Sequence, residues 1–243
     1  MATGGRPAEP EVIWARPQRA GRGPRPAHSR ESIAAEAVRI ADAEGIEAVS
    51  MRRVAAGIGA GTMSLYNYVP RKEDLYELMV DAVSGEYDLR PPTGDWRADL
   101  MNLARQAREL MHRHPWLPRL LSPVHGFSPN ALRYLEHSLD CLEPLDAPDG
   151  AKLELVAALN SSVAAFAGSE LALAERARSL PWSAAAEQDA RQAWLGSRLA
   201  SGEYPRLTAA LTGGAAPITE AGPDLAAVFE RTVERLLAAW GGD

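Results

Sequence analysis

Three glycines on alternate positions, followed by hydroxyl side chains, form the stretch of this sequence that most resembles a phosphate-binding loop. Residues 57–64 read GIGAGTMS. A dinucleotide-binding loop needs a strand before its glycines, and a Walker-type loop needs a lysine beside a serine or threonine after them. No such pair follows here, and Met51, Val54 and Ile58 recur at helical spacing. The glycines therefore predict a turn between two helices, not a nucleotide site.

Histidine and cysteine side chains offer little for catalysis or metal binding. His112 and His114 are two residues apart, so a helix would point them to different faces. His125 and His137 are isolated, and the single Cys141 excludes thiolate zinc clusters and an internal disulfide. We expect Cys141 to be a small buried hydrophobe. No hydrolase or metalloprotease motif appears, so we predict no metal, no cofactor and no catalysis; a helical enzyme is the rival class.

Composition predicts an all-α protein with enough apolar side chains for a packed core. Of the 243 residues, 46% are hydrophobic but only 6% are aromatic, and long segments lack the alternation of a half-buried strand. The N-terminus has no apolar run typical of a signal peptide. The least charged stretch, residues 155–169, is too short and too polar to span a bilayer. Together with the single cysteine, these features predict a cytoplasmic protein with no membrane segment.

The distribution of charge is more informative than its sum. A formal net charge of −6 is unfavourable for binding a phosphate backbone. Residues 1–30, however, contain six arginines against two glutamates and are rich in proline and glycine. That composition predicts a disordered basic arm over residues 1–28. We expect the arm to contact DNA if a DNA-binding module follows; a solubilising tail is the alternative.

Two short helices after the arm would be joined by the glycine turn. Ser50 is a suitable N-cap for a helix over residues 51–58, and Pro70 stops a second one over residues 62–69. Glycine in the turn at 59–61 allows a positive φ without strain. This arrangement is a helix-turn-helix, whose second helix enters the major groove. The side chains predicted to project toward DNA are Thr62, Ser64, Tyr66 and Tyr68.

A longer helix flanks this pair on each side. Ser29 caps a first helix that ends at Gly45, and its apolar stripe is Ile33, Ala37, Ile40 and Ala41. Helix four carries Leu75, Leu78, Met79, Ala82 and Val83 on one face. The segment RPPTGDW, residues 90–96, then breaks the pattern. We therefore predict a helix-turn-helix DNA-binding domain over residues 29–90.

Residues 29–82 resemble the N-terminal domain of the TetR family of bacterial transcriptional regulators. The resemblance rests on the spacing of helix one, on VSMRRVA entering the second helix, on LYNYV in the third and on KEDL opening the fourth. The sequence departs from the family pattern at Met63 and at Asn67-Tyr68.

The resemblance implies DNA contacts for particular residues. It places Arg52 at a base or a phosphate, and an arginine fork suits guanine, whereas Arg53 could be an ordinary solvated residue. The start of the recognition helix would contact bases, Tyr66 and Lys72 would contact phosphate, and Leu65 and Val69 would pack the core. The candidate DNA contacts are Arg52, Arg53, Thr62, Met63, Ser64, Tyr66, Asn67, Tyr68 and Lys72.

Residues 91–243 are predicted to form a helical effector-binding and dimerisation domain. We expect helices over residues 96–113, 129–142, 150–180, 182–200 and 224–240. The resemblance implies that helices 150–180 and 224–240 form a four-helix bundle between two subunits. Small residues at 157, 158, 164, 165, 167 and 168 would allow close helix approach. The alternative is that the same apolar stripes pack within one monomer.

The helix-turn-helix predicts DNA binding, and the resemblance implies a TetR-like homodimer that binds a palindromic double-stranded DNA operator, as a repressor released by a small hydrophobic effector. The alternative is a helical small-molecule-binding protein or enzyme without specific DNA binding. A ligand pocket needs apolar walls and a few convergent polar groups. The candidate ligand contacts are Met101, His112, Trp116, His125, Phe127, Tyr134, Asn160, Phe166 and Glu170.

Overall fold

The computed structural model describes residues 12–16, 28–121, 127–213 and 224–240. This part of the chain is helical and contains no strand, as the composition predicts. Its α-helices, in chain order, are α1 Arg30–Glu44, α2 Met51–Gly57, α3 Thr62–Tyr66, α4 Lys72–Ser84, α5 Trp96–Arg113, α6 Leu117–Leu120, α7 Pro129–Cys141, α8 Asp149–Ser179, α9 Ala184–Ala200, α10 Pro205–Gly213 and α11 Leu225–Ala238. Short 3-10 turns cover Ile13–Ala15 and Ile46–Ala48.

Local capping explains where the first helices begin and end. Ser29 and Ser32 cap α1 reciprocally, with each backbone N–H donating to the other's hydroxyl oxygen. Gly45 ends the helix at φ 85°, where a side chain would strain the backbone. The hydroxyl of Ser50 accepts from the backbone N–H of Arg53 and caps α2. The turn before α3 contains Gly59 at φ 70°, so the glycines do join two helices.

The arm differs from its prediction at Val12–Arg16. These residues form a turn in which the side chain of Ile13 is 1% exposed, so they are not disordered. Val12, Ile13 and Trp14 form a short apolar run among prolines, glycines and arginines, too short to show a helical or strand periodicity, which is why the sequence does not predict this packing. The remainder of residues 1–28, apart from His28, lies outside the described residues.

Contacts divide the chain into two compact units, Met1–Ala157 and Ala158–Asp243. In the first unit, α1 packs on α4, and α4 also packs on α7. Helices on both sides of residue 90 therefore share one unit. Its fully buried side chains include Ile33, Leu65, Leu75, Met79, Leu100 and Leu103.

The second unit contains the later part of α8 together with α9, α10 and α11. Phe229, Val233 and Leu237 on α11 are buried, and the ring of Phe229 lies 5.4 Å from that of Phe166. Part of the apolar stripe of α11 therefore packs within the chain, as the monomer alternative requires. Its other members, Leu225, Val228, Leu236 and Trp240, are half-buried.

Two short helices, α6 and α10, were not predicted, and α10 lies in a region expected to be a loop. Pro205 at the start of α10 can only occupy a first turn, so it begins the helix instead of breaking it. Among the described helices, α8 is the one long and apolar enough to cross a membrane. Its Leu155, Val163, Ala167 and Glu170 are buried, and a core helix meets the same criterion.

Candidate DNA-binding surface and effector region

The recognition helix α3 is held by two apolar side chains and exposes the rest. Leu65 and Val69 are both completely buried. Met63, Ser64, Tyr66 and Asn67 are exposed and Thr62 and Tyr68 half-buried. The helix ends at Tyr66, three residues earlier than predicted, and hydrogen bonds from Tyr68 and Val69 to the carbonyl of Leu65 continue it as a turn. The predicted contacts thus form one continuous surface segment.

The two arginines of α2 have different surroundings, although both are exposed. The guanidinium of Arg53 donates to the carboxylate of Glu44 at the end of α1 and lowers the pKa of that carboxyl. Arg52 makes no hydrogen bond or ion pair with another described residue. The guanidinium of Arg52 is therefore available for a ligand outside the chain, whereas Arg53 would have to break its ion pair with Glu44.

Lys72 occupies the first position of α4 and is exposed. Its Nζ lies 5.2 Å from the ring centroid of Tyr76. The preceding Arg71 is tied back to Asp74, whose Oδ2 accepts from the Arg71 backbone N–H at 3.1 Å. Asp74 is buried, so the start of α4 is fixed while the ammonium of Lys72 remains on the surface. This position suits contact with a phosphate.

Two polar connections that the sequence does not reveal join α1 and α4 to the helices after residue 90. The imidazole of His114 is 3% exposed and lies between Asp42 of α1, 2.8 Å from Nδ1, and Glu86 after α4, 3.2 Å from Nε2. The indole N–H of Trp116 donates to the same oxygen of Asp42 at 2.7 Å. These side chains fix α1 to the end of α5.

In the second connection, a side chain of α4 caps the start of α7. The buried Asp81 accepts from the backbone N–H of Asn130 at 2.7 Å and from its side-chain amide at 3.0 Å. A carboxylate in this position satisfies a backbone donor that a helix start otherwise leaves unpaired. Asp81 thereby fixes the orientation of α7 relative to α4, the helix that follows the recognition helix.

The candidate ligand contacts are divided between the two compact units. In the first unit Met101, Trp116 and Tyr134 are buried, whereas His112 and Phe127 are exposed. In the second, Phe166 and Asn160 are half-buried and Glu170 is buried. His125 lies outside the described residues. The indole N–H of Trp116 already has a partner in Asp42, and its ring centroid lies 5.7 Å from that of His114.

Tyr87 is an aromatic residue that the sequence does not single out. Its ring centroid lies 4.6 Å from that of Tyr134. Burial raises the pKa of the Tyr87 phenol well above its ordinary value. The two rings form an apolar cluster beside Asp88, whose backbone N–H donates to Gln106 on α5 at 2.8 Å.

A surface groove of about 480 Å³ lies along α9 in the second unit. None of the predicted ligand contacts lines it. Its residues are Trp182, Ala186, Glu187, Ala190, Arg191 and Trp194.

Cys141 is buried, as predicted for a small hydrophobe. Burial raises the pKa of its thiol to about 11. Its Sγ lies 3.5 Å from Nε2 of His137. Within the described ranges, no three histidine, cysteine or carboxylate side chains come together as they would around a metal ion.

Comparison with known proteins assigns this architecture to a family. Residues 33–79 match the family model of bacterial regulatory proteins of the tetR family, and residues 90–239 match the tetracyclin repressor-like C-terminal domain. The HTH-type transcriptional repressor DrrR1 of Streptomyces coeruleorubidus is 38% identical over 197 residues, 80% of this chain and 73% of DrrR1. An HTH-type transcriptional regulator of Saccharopolyspora erythraea is 35% identical over 51% of this chain and 52% of its own length.

Solved structures show the same fold. Apo ActR from Streptomyces coelicolor superposes with a TM-score of 0.71 at 26% identity, covering 89% of this chain and 99% of ActR. ActR in complex with actinorhodin gives a TM-score of 0.70 at 26% identity, covering 88% of this chain and 96% of that one. Together the two family models cover the helix-turn-helix and nearly all the later helices. The chain belongs to the TetR family of bacterial regulatory proteins.

Proposed function

We propose that this chain is a transcriptional repressor that binds a palindromic operator as a homodimer and is released by a small hydrophobic effector. The observation that carries DNA binding is the surface of α2 and α3. Buried Leu65 and Val69 hold α3 in place, while Arg52, Ser64 and the other predicted contacts face outward. A helix-turn-helix reads base edges with such a helix, held by its core side chains and exposing polar ones. The proposal assigns the chain no catalytic activity.

Dimerisation is supported by apolar side chains that the chain leaves exposed in the second unit. Leu173 on α8, Trp182 before α9 and Trp194 on α9 are each more than half exposed. Trp182 and Trp194 line the same groove, and exposed large apolar side chains that lie together are typical of an interaction surface. A two-fold dimer would place two recognition helices roughly 34 to 36 Å apart, one turn of DNA.

Repression and effector release are supported by relatives of this chain. DrrR1 is named a transcriptional repressor, and ActR has been solved with actinorhodin bound. In this chain, the connections at His114 and Asp81 give a physical route from the later helices to the helix-turn-helix. A ligand that displaces α5 or α7 would move α1 or α4 with it, because buried polar contacts have discrete arrangements.

Selection of bound sequences from random double-stranded DNA tests the proposal. We expect a palindrome whose half-sites are centred about 10 base pairs apart or a multiple of that distance, with two chains per site by light scattering. Ser64→Glu is the negative control, because it places a carboxylate on the exposed face of α3 without touching the core. Recovery of no enriched sequence by the wild-type chain would refute operator binding and favour the alternative of a helical ligand-binding protein.

A further inference from the structure

A buried arginine joins the N-terminal turn to the end of the recognition helix. Arg30, the first residue of α1, is 8% exposed. Its Nη1 donates to the carbonyl oxygens of Ile13 at 2.9 Å and Arg16 at 3.1 Å. Its Nε donates to the carbonyl oxygen of Tyr68 at 3.3 Å. One guanidinium thus links two backbone segments more than fifty residues apart in sequence.

The three acceptors explain why a charged side chain can be buried here. Removing a guanidinium from water is costly unless its donors are satisfied. Hydrogen bonds from an ionised donor are roughly twice as strong as neutral ones. The guanidinium of Arg30 donates from two separate nitrogens, Nε and Nη1, held in one rigid plane, whereas a lysine would have to donate from a single nitrogen.

Ile13 provides the apolar half of the same contact. Its side chain is 1% exposed, whereas that of the neighbouring Val12 is 59% exposed. The turn is closed by hydrogen bonds from Ala15 to Val12 and from Arg16 to Ile13. Its position is therefore set by Ile13 packing and by the two carbonyls bound to Arg30.

Tyr68 is where this contact meets the DNA-binding surface. Its backbone N–H donates to the carbonyl of Leu65 at 2.9 Å, closing the turn that ends α3. Its side chain is a predicted DNA contact. Because α3 has only five residues, its orientation depends on packing at its ends more than on its own hydrogen bonds.

We propose that Arg30 and the Val12–Arg16 turn form a clip that fixes the orientation of α3 for sequence recognition. Arg30 and Ile13 are positioning residues, and the DNA-binding domain begins at Val12 and not at Ser29. The inference rests on the proposed DNA binding.

Two substitutions test the clip in the full-length chain. One changes the guanidinium but keeps its charge, and the other shortens the buried apolar side chain of the turn. Arg30→Lys should weaken operator binding about tenfold, the loss expected of one charge-assisted hydrogen bond. Ile13→Ala should weaken it to a similar extent, because it truncates the buried side chain that packs the turn. Binding to random-sequence DNA and its salt dependence should not change, because the number of phosphate contacts is the same. The matched controls are Arg39→Lys, an exposed arginine on α1, and Val12→Ala. Both controls should bind like the wild type.

Two further measurements separate an effect on the orientation of α3 from an effect on the stability of the whole chain. Binding is measured well below the unfolding temperature of each variant, and hydrogen exchange of the free protein is followed at the amides of Tyr68 and Val69. Faster exchange there with the rest of the chain protected supports the clip. If Arg30→Lys unfolds, Ile13→Val replaces it, with a smaller loss in the same direction.

The outcomes distinguish this inference from the proposed function. Wild-type affinity for the operator in both variants would overturn the clip alone. An equal loss on operator and random DNA would also overturn it, since the residues would then act on overall stability. A wild-type chain that selects no DNA sequence overturns the proposed function, and the clip as a recognition device with it.

Discussion

Nδ1 of His114 lies 2.8 Å from Oδ1 of Asp42, although 72 residues separate them in the chain. Asp42 is on α1, and His114 ends α5. The opposite nitrogen of the imidazole faces Glu86, which also pairs with Arg113 at 2.6 Å. A buried imidazole with carboxylates at both nitrogens makes the position of α5 dependent on that of α1.

Removing either partner should therefore cost stability. We expect Asp42→Ala to lower the free energy of unfolding by about 1 to 3 kcal/mol, because it leaves the buried nitrogens of His114 and Trp116 without this acceptor. His114→Ala should also lower it, because it removes a buried ring from between Asp42 and Glu86. A double-mutant cycle by urea denaturation should give a coupling energy of at least about 0.5 kcal/mol. Glu47→Ala, in an exposed pair with Arg119, is the control and should cost less than about 1 kcal/mol. Additive effects at Asp42 and His114 would contradict a direct contact.

Arg52 and Lys72 should affect DNA binding in different ways. Arg52→Ala should cost specific binding about 1 to 3 kcal/mol and relax base preference at one position in each half-site. Lys72→Ala should weaken binding to all sequences and reduce the salt slope by about one. Arg53→Ala should have a smaller effect, because Arg53 already pairs with Glu44. Selection of DNA at two salt concentrations measures all three, and identical profiles for Arg52 and Lys72 would refute the assignment.

The cap from Asp81 to α7 predicts a local loss of protection. Asp81→Asn replaces one acceptor oxygen with a donor that faces the amide of Asn130, so we expect a loss of about 1 to 2 kcal/mol. Hydrogen exchange at the start of α7 should accelerate. Asp140→Asn makes the same change at an exposed position of α7 and should leave exchange and stability unchanged. Equal behaviour of the two variants would show that Asp81 does not hold the helix.

Features encoded by neighbouring residues could be predicted from the sequence. The caps at Ser29 and Ser50 and the positive φ of Gly45 depend on residues a few positions away, and the helix-turn-helix follows from them. The contacts of Arg30, Asp42 and Asp81 could not be predicted, because each partner lies far along the chain. An isolated charged residue carries no periodic signal. The same is true of Ile13, whose burial depends on its tertiary surroundings and not on a pattern.

The pKa of Cys141 predicts how stability changes at alkaline pH. The thiol has a pKa of about 11 in the folded chain, against an ordinary value of 9.0. The unfolded chain loses this proton first, so the contribution of Cys141 is present below about pH 9 and is lost as pH rises toward 11. Cys141→Ala should therefore show a shallower fall in the free energy of unfolding across that interval. Tyr87 titrates in both proteins and cancels in the comparison. Parallel curves would mean that the thiol is not desolvated.

Effector binding should be linked to operator binding through the connections at His114 and Asp81. By linkage, a ligand weakens DNA binding by the same factor by which DNA weakens ligand binding. The coupling free energy between the two sites is typically about 1 to 3 kcal/mol. For a compound from a panel of small hydrophobic molecules that binds the free protein, calorimetric titration compares its affinity for the free protein with its affinity for the protein–operator complex. We expect weaker binding to the complex.

His114→Ala should reduce that difference while leaving binding to the free protein unchanged, since it removes a contact between α1 and α5 and not one to the ligand. Glu47→Ala serves again as the control and should keep the full difference. Equal affinity of the compound for the free and the operator-bound wild-type protein would refute induction by that compound. A full difference in His114→Ala would show that the linkage does not pass through Asp42 and His114.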